Sequence, residues 1–267
     1  MHFAIPVLIL ATLAACQSRP SAPTETGSTA PDTLAYELRT YEARSQRCVK
    51  PDSLCAVASF KYPLFTGNAF RALSDSLRTD VTSMADAEGD PELRARSLEE
   101  AAKNFTTDYD NFLKSQGDSL SFAQAWKLEV TTDVLRQSPK WVSVALHWFN
   151  DSGGAHPNHS TRYVNYNRVT GHRLQIDELF QADYQKTLTG IAERHFRQNE
   201  GLKSGESLVN RYFFDKGVFT LNDNFTLTPT SLKFLYVPYE IKSYAEGETI
   251  LEIPLRELQG ILKPTVL

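Results

Sequence analysis

The residues most able to do chemistry lie in the segment DSGGAHPNHSTRYVNYN, near the middle of the chain. His156 and His159 stand three residues apart there, shortly after Gly153 and Gly154. A neutral imidazole can ligate a metal or act as a general base, and a glycine pair lets the backbone take positive φ or approach a partner closely. The segment is therefore a candidate metal site, catalytic site, partner-binding loop or simple strand-to-strand connection.

The spacing of these histidines weighs against a metal or catalytic site. Pro157 disfavours a helix between His156 and His159, so the spacing of ligands on one helix face does not apply. A zinc site also needs a third protein ligand, and the spacing selects none of the candidates, His147, Asp151 and His172. No serine or cysteine nucleophile motif accompanies the histidines. We therefore expect no metal ligand, no catalytic residue and no cofactor.

Two interpretations of the glycine–histidine segment remain open. Gly153, Gly154 and His156 hold a connection between two strands through backbone hydrogen bonds, or they form a loop that binds a partner, as loops on rigid sheets commonly do. A second segment, VPYEIKSYAEGE, offers a similar choice. Its Tyr239 and Tyr244 either pack beneath the loop or present their rings to a partner, where tyrosine is favoured. We predict that these five residues contribute to binding.

Hydrophobic periodicity predicts the elements that position these segments. Apolar residues at spacings of three and four predict two helices, carrying Phe70, Leu73, Leu77, Val81 and Met84 in the first and Leu98, Phe105, Tyr109 and Phe112 in the second. Pro91 is suited to the first turn of the second helix. Alternating apolar and polar residues predict strands at residues 126–134 and 140–149. A further helix is expected to begin near Asp177 and to continue to His195.

The order of these elements indicates the fold class. Strands, two helices, strands, one helix and again strands follow along the chain, which indicates an α+β fold with antiparallel β-sheet and helices packed against it. We expect two linked subdomains, an N-terminal α+β domain at residues 34–155 and a C-terminal α+β domain at residues 156–267, which meet near residues 150–165. With 41% hydrophobic residues, including 15 Phe, the chain can build a substantial core.

The N-terminus predicts export and lipid anchoring. Residues 1–15 carry no Lys, Arg, Asp or Glu and end in Leu-Ala-Ala before Cys16, which resembles the bacterial lipobox. The apolar run is too short for a helix that crosses a ~30 Å hydrocarbon core. Residues 16–33 are rich in Pro, Ser and Thr and predict a flexible tether. We expect Cys16 to be lipidated; an ordinary signal peptide with an incidental cysteine is the alternative.

The remaining cysteines indicate an oxidising compartment, and the net charge restricts the class of partner. Cys48 and Cys55 are an even pair in an exported chain and predict a disulfide, with two unpaired thiols as the alternative. The formal net charge of −4 argues against nucleic acid, which calls for a basic face, and is compatible with a basic protein partner. Gln17, where enterobacterial inner-membrane lipoproteins carry Asp, favours the outer membrane, facing the periplasm, over the inner membrane.

Three motifs resemble a bacterial extracytoplasmic domain pair. They are GGAH at Gly153–His156, the run TGHRLQIDELF at Thr170–Phe180 and PYEIKSYA at Pro238–Ala245. The pair forms the outer part of the anti-sigma-V factor, which is a lysozyme receptor, precedes the catalytic domain of some peptidoglycan deacetylases and stands alone in many lipoproteins. The resemblance extends over residues 34–264. It implies a binding or accessory module rather than a known catalyst.

The resemblance also implies a partner. We expect a lipid-anchored protein of the cell envelope that binds or inhibits a lysozyme-like muramidase, or binds peptidoglycan itself. Neither a sigma-binding segment nor a deacetylase domain with its metal-binding histidine pair is recognised in the sequence, so those two activities are not expected. Two alternatives remain: an envelope glycan-processing enzyme that uses His156 with a nearby carboxylate as acid–base groups, and a purely structural lipoprotein.

Overall fold

The computed structural model describes four stretches of the chain, residues 34–49, 54–87, 94–116 and 124–266. They form an α+β fold with two β-sheets, which confirms the predicted fold class and its two linked regions. The predicted signal peptide, the tether and Cys16 lie outside the described residues. No helix within the described stretches is long and apolar enough to cross a membrane.

The first sheet has five strands in the order β1-β2-β3-β4-β5. They are β1 (Tyr36–Arg44), β2 (Ala56–Phe65), β3 (Trp126–Gln137), β4 (Trp141–Asp151) and β5 (Asn158–Asn167). Neighbouring strands are antiparallel as expected, except that β2 and β3 run parallel. Two helices lie between β2 and β3 in sequence, and such a crossover returns the chain to the same end of the sheet. The domain boundary predicted between residues 155 and 156 falls in the β4–β5 connection, and its position stays a prediction.

Two helices cover one face of this sheet because each has an apolar stripe. They are α1 (Arg71–Ala85) and α2 (Leu98–Ser115). Leu73, Leu77 and Val81 of the predicted α1 stripe are fully buried in a core shared with β2, β3 and β4. Burying a side chain of this size contributes about 2 kcal/mol, so the stripe fixes α1 against the sheet.

The start of α2 differs from the sequence expectation. Pro91 lies outside the described residues, and the helix begins at Leu98, directly after Ser97. The Ser97 hydroxyl accepts a hydrogen bond from the Glu100 amide at 3.2 Å, and the Glu100 carboxylate accepts one from the Arg96 amide at 2.7 Å. These side chains satisfy amides at the beginning of the helix, which a proline alone cannot do.

The C-terminal region has its own sheet and its own core. Its elements are α3 (Ile176–Leu179), α4 (Gln185–Asn199), β6 (Phe225–Leu227), β7 (Ser231–Tyr236), β8 (Thr249–Pro254) and α5 (Leu255–Leu258). The three strands form an antiparallel sheet in the order β6-β7-β8. The core of this region is rich in aromatic rings: Phe196 on α4 packs against Tyr212, Phe214 and Phe219.

The helix expected from Asp177 to His195 is interrupted, so that α3 and α4 are separate helices. Between them Phe180 is extended and Asp183 takes a φ of +59°, and neither conformation continues an α-helix. The carboxylate of Asp177 accepts a hydrogen bond from the Tyr184 hydroxyl at 2.5 Å. Asp177 therefore ties α3 to the start of α4.

The two regions are joined along the outer edge of β5. Asn224 stands where a neighbouring strand would lie: its side-chain oxygen accepts from the Tyr163 amide at 2.7 Å. Its side-chain amide donates to the Thr161 carbonyl at 2.9 Å. Further along the strand, the side-chain amide of Asn165 donates to the Phe225 carbonyl at 2.8 Å. Side-chain amides thus satisfy backbone groups that an edge strand leaves free.

Two local features shape the first sheet. The pairing of β3 with β4 shifts register between Val134 and Arg136, which marks a β-bulge. Cys48 and Cys55 form a disulfide in the connection between β1 and β2, which confirms the predicted pair.

We expect Gly171→Ala to lose more stability than Gly201→Ala. Both glycines have positive φ, +68° for Gly171 and +66° for Gly201. A Cβ atom on Gly171 would lie 2.4 Å from the Ala72 carbonyl oxygen, whereas one on Gly201 would meet nothing within 4 Å. Gly201→Ala therefore costs about 1 kcal/mol for backbone conformation alone, and Gly171→Ala adds a steric clash for roughly 3 kcal/mol. Urea unfolding followed by circular dichroism measures both; equal losses would contradict the close approach.

Candidate functional site

One glycine shapes the β4–β5 connection. Gly153 has a φ of +84°, and its amide donates to the Asp151 carboxylate at 3.3 Å. A Cβ atom on Gly153 would lie 3.1 Å from the indole nitrogen of Trp126, so conformation and space both favour glycine there. Gly154 has no positive φ, and a Cβ atom on it would lie 3.7 Å from the carbonyl oxygen of His156. Gly153 is thus needed for the shape of the connection, whereas Gly154 is simply exposed beside it.

Four rings from the two predicted segments meet in one cluster, hereafter the four-ring cluster, formed by His156, His159, Tyr239 and Tyr244. Tyr244 is central: its ring stacks on that of His156, with centroids 4.2 Å apart and 24° between the planes. The His159 ring meets Tyr244 edge-on at 5.4 Å, and the Tyr239 ring lies 5.5 Å from it. The structure therefore brings together predicted residues that are distant in sequence, such as His156 and Tyr239, which are separated by 83 positions.

Hydrogen bonds hold the four-ring cluster on the β4–β5 connection. The Tyr244 hydroxyl donates to the Pro157 carbonyl at 2.6 Å and lies 3.2 Å from His159 Nδ1. The His156 Nδ1 atom lies 3.0 Å from the same carbonyl, and its Nε2 atom lies 3.5 Å from the Tyr239 hydroxyl. Hydroxyls and neutral imidazoles both donate and accept, so the cluster can offer either role to a ligand.

Tyr239 is held in an unusual conformation. Its φ is +69°, in the left-handed region that disfavours side chains, and the residue is 58% exposed. Tyr244 is supported locally, because a reciprocal capping box between Ser243 and Glu246 starts its single 3₁₀ turn. Residues in strained conformations concentrate at functional sites, where the surrounding structure holds them in place.

A polar groove of about 420 Å³ adjoins the four-ring cluster and shares His159 with it. The groove lies between the sheet face that α1 and α2 leave open and Glu248 of the C-terminal region. Thr131, His147 and Thr161 face it in register across β3, β4 and β5. The cluster and the polar groove together form one continuous face.

His147 is the histidine of this face that meets a carboxylate. Its Nε2 atom lies 3.1 Å from Asp133 Oδ2, and its Nδ1 atom lies 3.1 Å from the Thr161 hydroxyl. The ring nitrogens of His156 contact a carbonyl and a hydroxyl, so those contacts do not supply the acid–base pair of the enzyme hypothesis. In the part of the chain that the structure describes, no three His, Cys, Asp or Glu side chains come together to hold a metal ion.

One carboxylate oxygen in the polar groove lacks a partner. Glu248 Oε1 is buried and has no hydrogen bond from any described residue. A buried acceptor without a donor costs about 1–3 kcal/mol. The negative charge also acts on Tyr163: burial raises the pKa of its hydroxyl, and the carboxylates of Glu248 and Glu252 raise it further. Glu248 therefore gives the groove a negatively charged wall, with one buried oxygen that no described residue satisfies.

Sequence reasoning did not identify the polar groove. Glu129 and Thr131 belong to the polar half of the alternating pattern in β3, which is also the pattern of a solvated sheet face. The sequence indicates His147 only as a candidate metal ligand. In the sequence, the signal for the groove is the accumulation of polar residues on three neighbouring strands, β3, β4 and β5. Glu248 adds a further polar residue from a distant segment.

Family models match the two regions of the chain separately. Residues 49–159 match the model described as Deacetylase PdaC. Residues 177–256 match DUF3298, a protein family of unknown function. The two matches confirm the resemblance to a domain pair that the motifs indicate. Among curated proteins, none matches the chain significantly.

Solved structures of the DUF3298 family share the fold. A member from Bacteroides fragilis is 19% identical and has a TM-score of 0.68 over 88% of this chain and 97% of its own. A DUF3298 family protein from Pseudomonas aeruginosa is 18% identical and has a TM-score of 0.67 over the same shares. At these identities the similarity establishes the fold, and the function is argued from the site.

We expect Tyr239→Gly to be about 1 kcal/mol more stable than Tyr239→Ala. Both substitutions remove the exposed ring, but only glycine adopts a φ of +69° without a steric penalty. The same pair at Tyr244, whose φ is not positive, should show the opposite order, because glycine there only adds backbone entropy to the unfolded chain. Urea unfolding of the four variants measures this, and one order at both positions would contradict the strain at Tyr239.

Proposed function

We propose that this protein is a lipid-anchored binding protein of the bacterial cell envelope, with the four-ring cluster and the polar groove as its ligand face. The four-ring cluster carries the proposal, because two distant segments place rings beside an acceptor without a partner. Aromatic rings with polar tips provide rigid contact area and hydrogen bonds at the same time. The strained backbone of Tyr239 keeps an exposed ring in position for a partner.

A lysozyme-like muramidase is the proposed partner. The family resemblance supports this partner, since the same domain pair forms the outer part of a lysozyme receptor. The net charge of −4 suits a basic protein, because opposite charges speed encounter and select the partner. Glu248 lines the polar groove and adds negative charge that a cationic side chain of that protein could face. Peptidoglycan is the other candidate ligand, and the experiment below separates the two.

The purified chain should bind a c-type lysozyme saturably in isothermal titration calorimetry and should reduce its muramidase activity in a parallel assay. Tyr239→Ala should weaken binding at least tenfold, because central aromatic residues dominate interface energies. The matched control is Phe213→Ala, since Phe213 is 59% exposed and lies outside the four-ring cluster. Absence of heat together with unchanged lysis would refute the muramidase as partner, and heat with peptidoglycan fragments would replace it.

A substitution in the polar groove tests its contribution to binding in the same titration. Glu248→Gln should weaken lysozyme binding and reduce its dependence on salt, because the variant loses the charge that faces the partner. Glu252→Gln is the matched control, since the Glu252 carboxylate already accepts from the Ser231 hydroxyl at 2.6 Å and pairs with Lys233 at 3.1 Å. Equal effects of both substitutions would show that net charge, rather than the groove, governs binding.

The lipid anchor is tested separately from the ligand. Cells that express the full chain and are fed an alkyne fatty acid should label it, and Cys16→Ser should abolish both the label and recovery in the membrane fraction. The double substitution Cys48→Ser and Cys55→Ser removes the other two thiols and should keep the label. Persistent labelling of Cys16→Ser would exclude this residue as the lipid attachment site.

A second candidate function is glycan processing, and one observation favours it. His147 lines the polar groove and contacts the Asp133 carboxylate and the Thr161 hydroxyl. A histidine oriented by a carboxylate beside a hydroxyl has the arrangement of a general base. Turnover of peptidoglycan by the chain alone, lost in His147→Ala with the fold retained, would establish this function in place of binding.

A further inference from the structure

The described part of the chain begins at one end of the first sheet, hereafter the tether end. The Leu34 amide donates to the Gln137 side-chain oxygen at 2.5 Å, and Gln137 is the last residue of β3. The Arg168 amide donates to the Lys140 carbonyl at 2.8 Å, so the turn that follows β5 lies beside the β3–β4 turn. The tether end comprises Leu34, residues 137–141, residues 168–171 and Arg71.

The tether end carries exposed cationic side chains. Arg71 is the first residue of α1, and its side chain is 85% exposed. The start of α1 lies against the turn after β5, because the Arg168 guanidinium stands 5.5 Å from the ring centroid of Phe70, the residue before Arg71. Lys140 is exposed in the β3–β4 turn, and its ammonium donates to the Thr265 carbonyl at 2.8 Å. Since a carbonyl is uncharged, this contact does not neutralise Lys140.

The surroundings of Arg71 leave positive charge in excess. The Asp75 carboxylate lies 3.8 Å from Arg71 and 3.3 Å from Arg78, so one negative charge is shared between two arginines. All three side chains are more than half exposed, and ion pairs in such positions are weak. Val169, in the turn after β5, is 61% exposed. The tether end therefore combines positive charge with an exposed apolar side chain.

The position of the proposed lipid anchor selects the surface that the tether end faces. The tether predicted from the sequence places 17 residues between Cys16 and Leu34. A flexible tether of this length has a root-mean-square span of about 23 Å. The 11 residues of β4 run away from the tether end and extend about 35 Å. The anchor therefore holds the tether end closer to the membrane than the opposite end of the sheet, which carries the four-ring cluster.

We propose that the tether end docks on an anionic lipid surface. Arg71 and Lys140 face the charged headgroups, and each cation near such a surface favours the docked state by roughly fivefold. The Val169 side chain enters the boundary between headgroups and acyl chains, where apolar groups are buried. Docking in this orientation directs the four-ring cluster away from the membrane and toward a partner. The proposal deepens the proposed function and rests on its lipid anchor.

Energy transfer from tryptophan to a labelled lipid headgroup measures this orientation. Trp141 lies beside Lys140 at the tether end, whereas Trp148 lies further along β4, about 23 Å away. The lipidated full chain is purified from membranes and incorporated into phosphatidylcholine vesicles that carry a trace of dansyl-labelled lipid, with or without phosphatidylglycerol. Phosphatidylglycerol should raise the transfer efficiency at least twofold. Trp141→Phe should remove most of this increase, and the matched control Trp148→Phe should retain it.

A charge reversal at the exposed Lys140 keeps the test decisive if a tryptophan variant does not fold. Lys140→Glu should reduce the increase in transfer at least threefold, because the lipid headgroups then repel this turn. Arg44→Glu is the matched control: it changes the net charge equally, but Arg44 is exposed at the other end of β1, paired with Val57. Equal losses in both variants would show that net charge, rather than the tether end, governs the approach, and would overturn the proposal.

Failure of docking and failure of the anchor give different results in this experiment. A chain that stays on the vesicles and shows the same transfer with and without phosphatidylglycerol refutes the docking but keeps the anchor, which leaves the tether end to a partner other than lipid. A chain that is released from the vesicles lacks the anchor, and this result refutes the docking together with it.

Discussion

The relative position of the two regions depends on how the outer edge of β5 satisfies its backbone groups. An edge strand presents free amides and carbonyls that any other chain could pair with. The Asn224 side chain pairs with one amide and one carbonyl of this edge: it accepts from the Tyr163 amide and donates to the Thr161 carbonyl. Because Asn224 directly precedes β6, these bonds fix the C-terminal sheet beside β5 in one register. The loop that carries Tyr244 consequently lies against His159.

Hydrophobic periodicity predicts helices and strands that bury only one of their faces. It predicts little about how these elements connect. The α1 stripe of Leu73, Leu77 and Val81 and the alternation in β3 and β4 each follow from a single buried face. The parallel pairing of β2 with β3 depends on the path of the α1–α2 crossover, which no local pattern encodes. The break between α3 and α4 depends on Asp183, a non-glycine residue with positive φ, and sequence carries no distinct signal for that conformation.

Residue type identifies the segments that form the candidate site, but the contacts between them come from tertiary structure. Tyr239 and Tyr244 are equally compatible with packing beneath their own loop, and only the fold places them against His156. Glu129 occupies a polar position in the alternation of β3, as any solvent-facing strand residue does. It becomes part of a groove because Glu248 lies opposite, in a segment whose position depends on the edge of β5.

The alternation of β4 separates the polar groove from the N-terminal core by a single residue. His147 lines the groove, and the next residue, Trp148, is 7% exposed and belongs to the core that the helices cover. A slip of β4 by one residue would exchange imidazole and indole between the two faces. Such a slip would place a polar ring in the core and would remove His147 from the groove, so stability and the proposed ligand face depend on the same register.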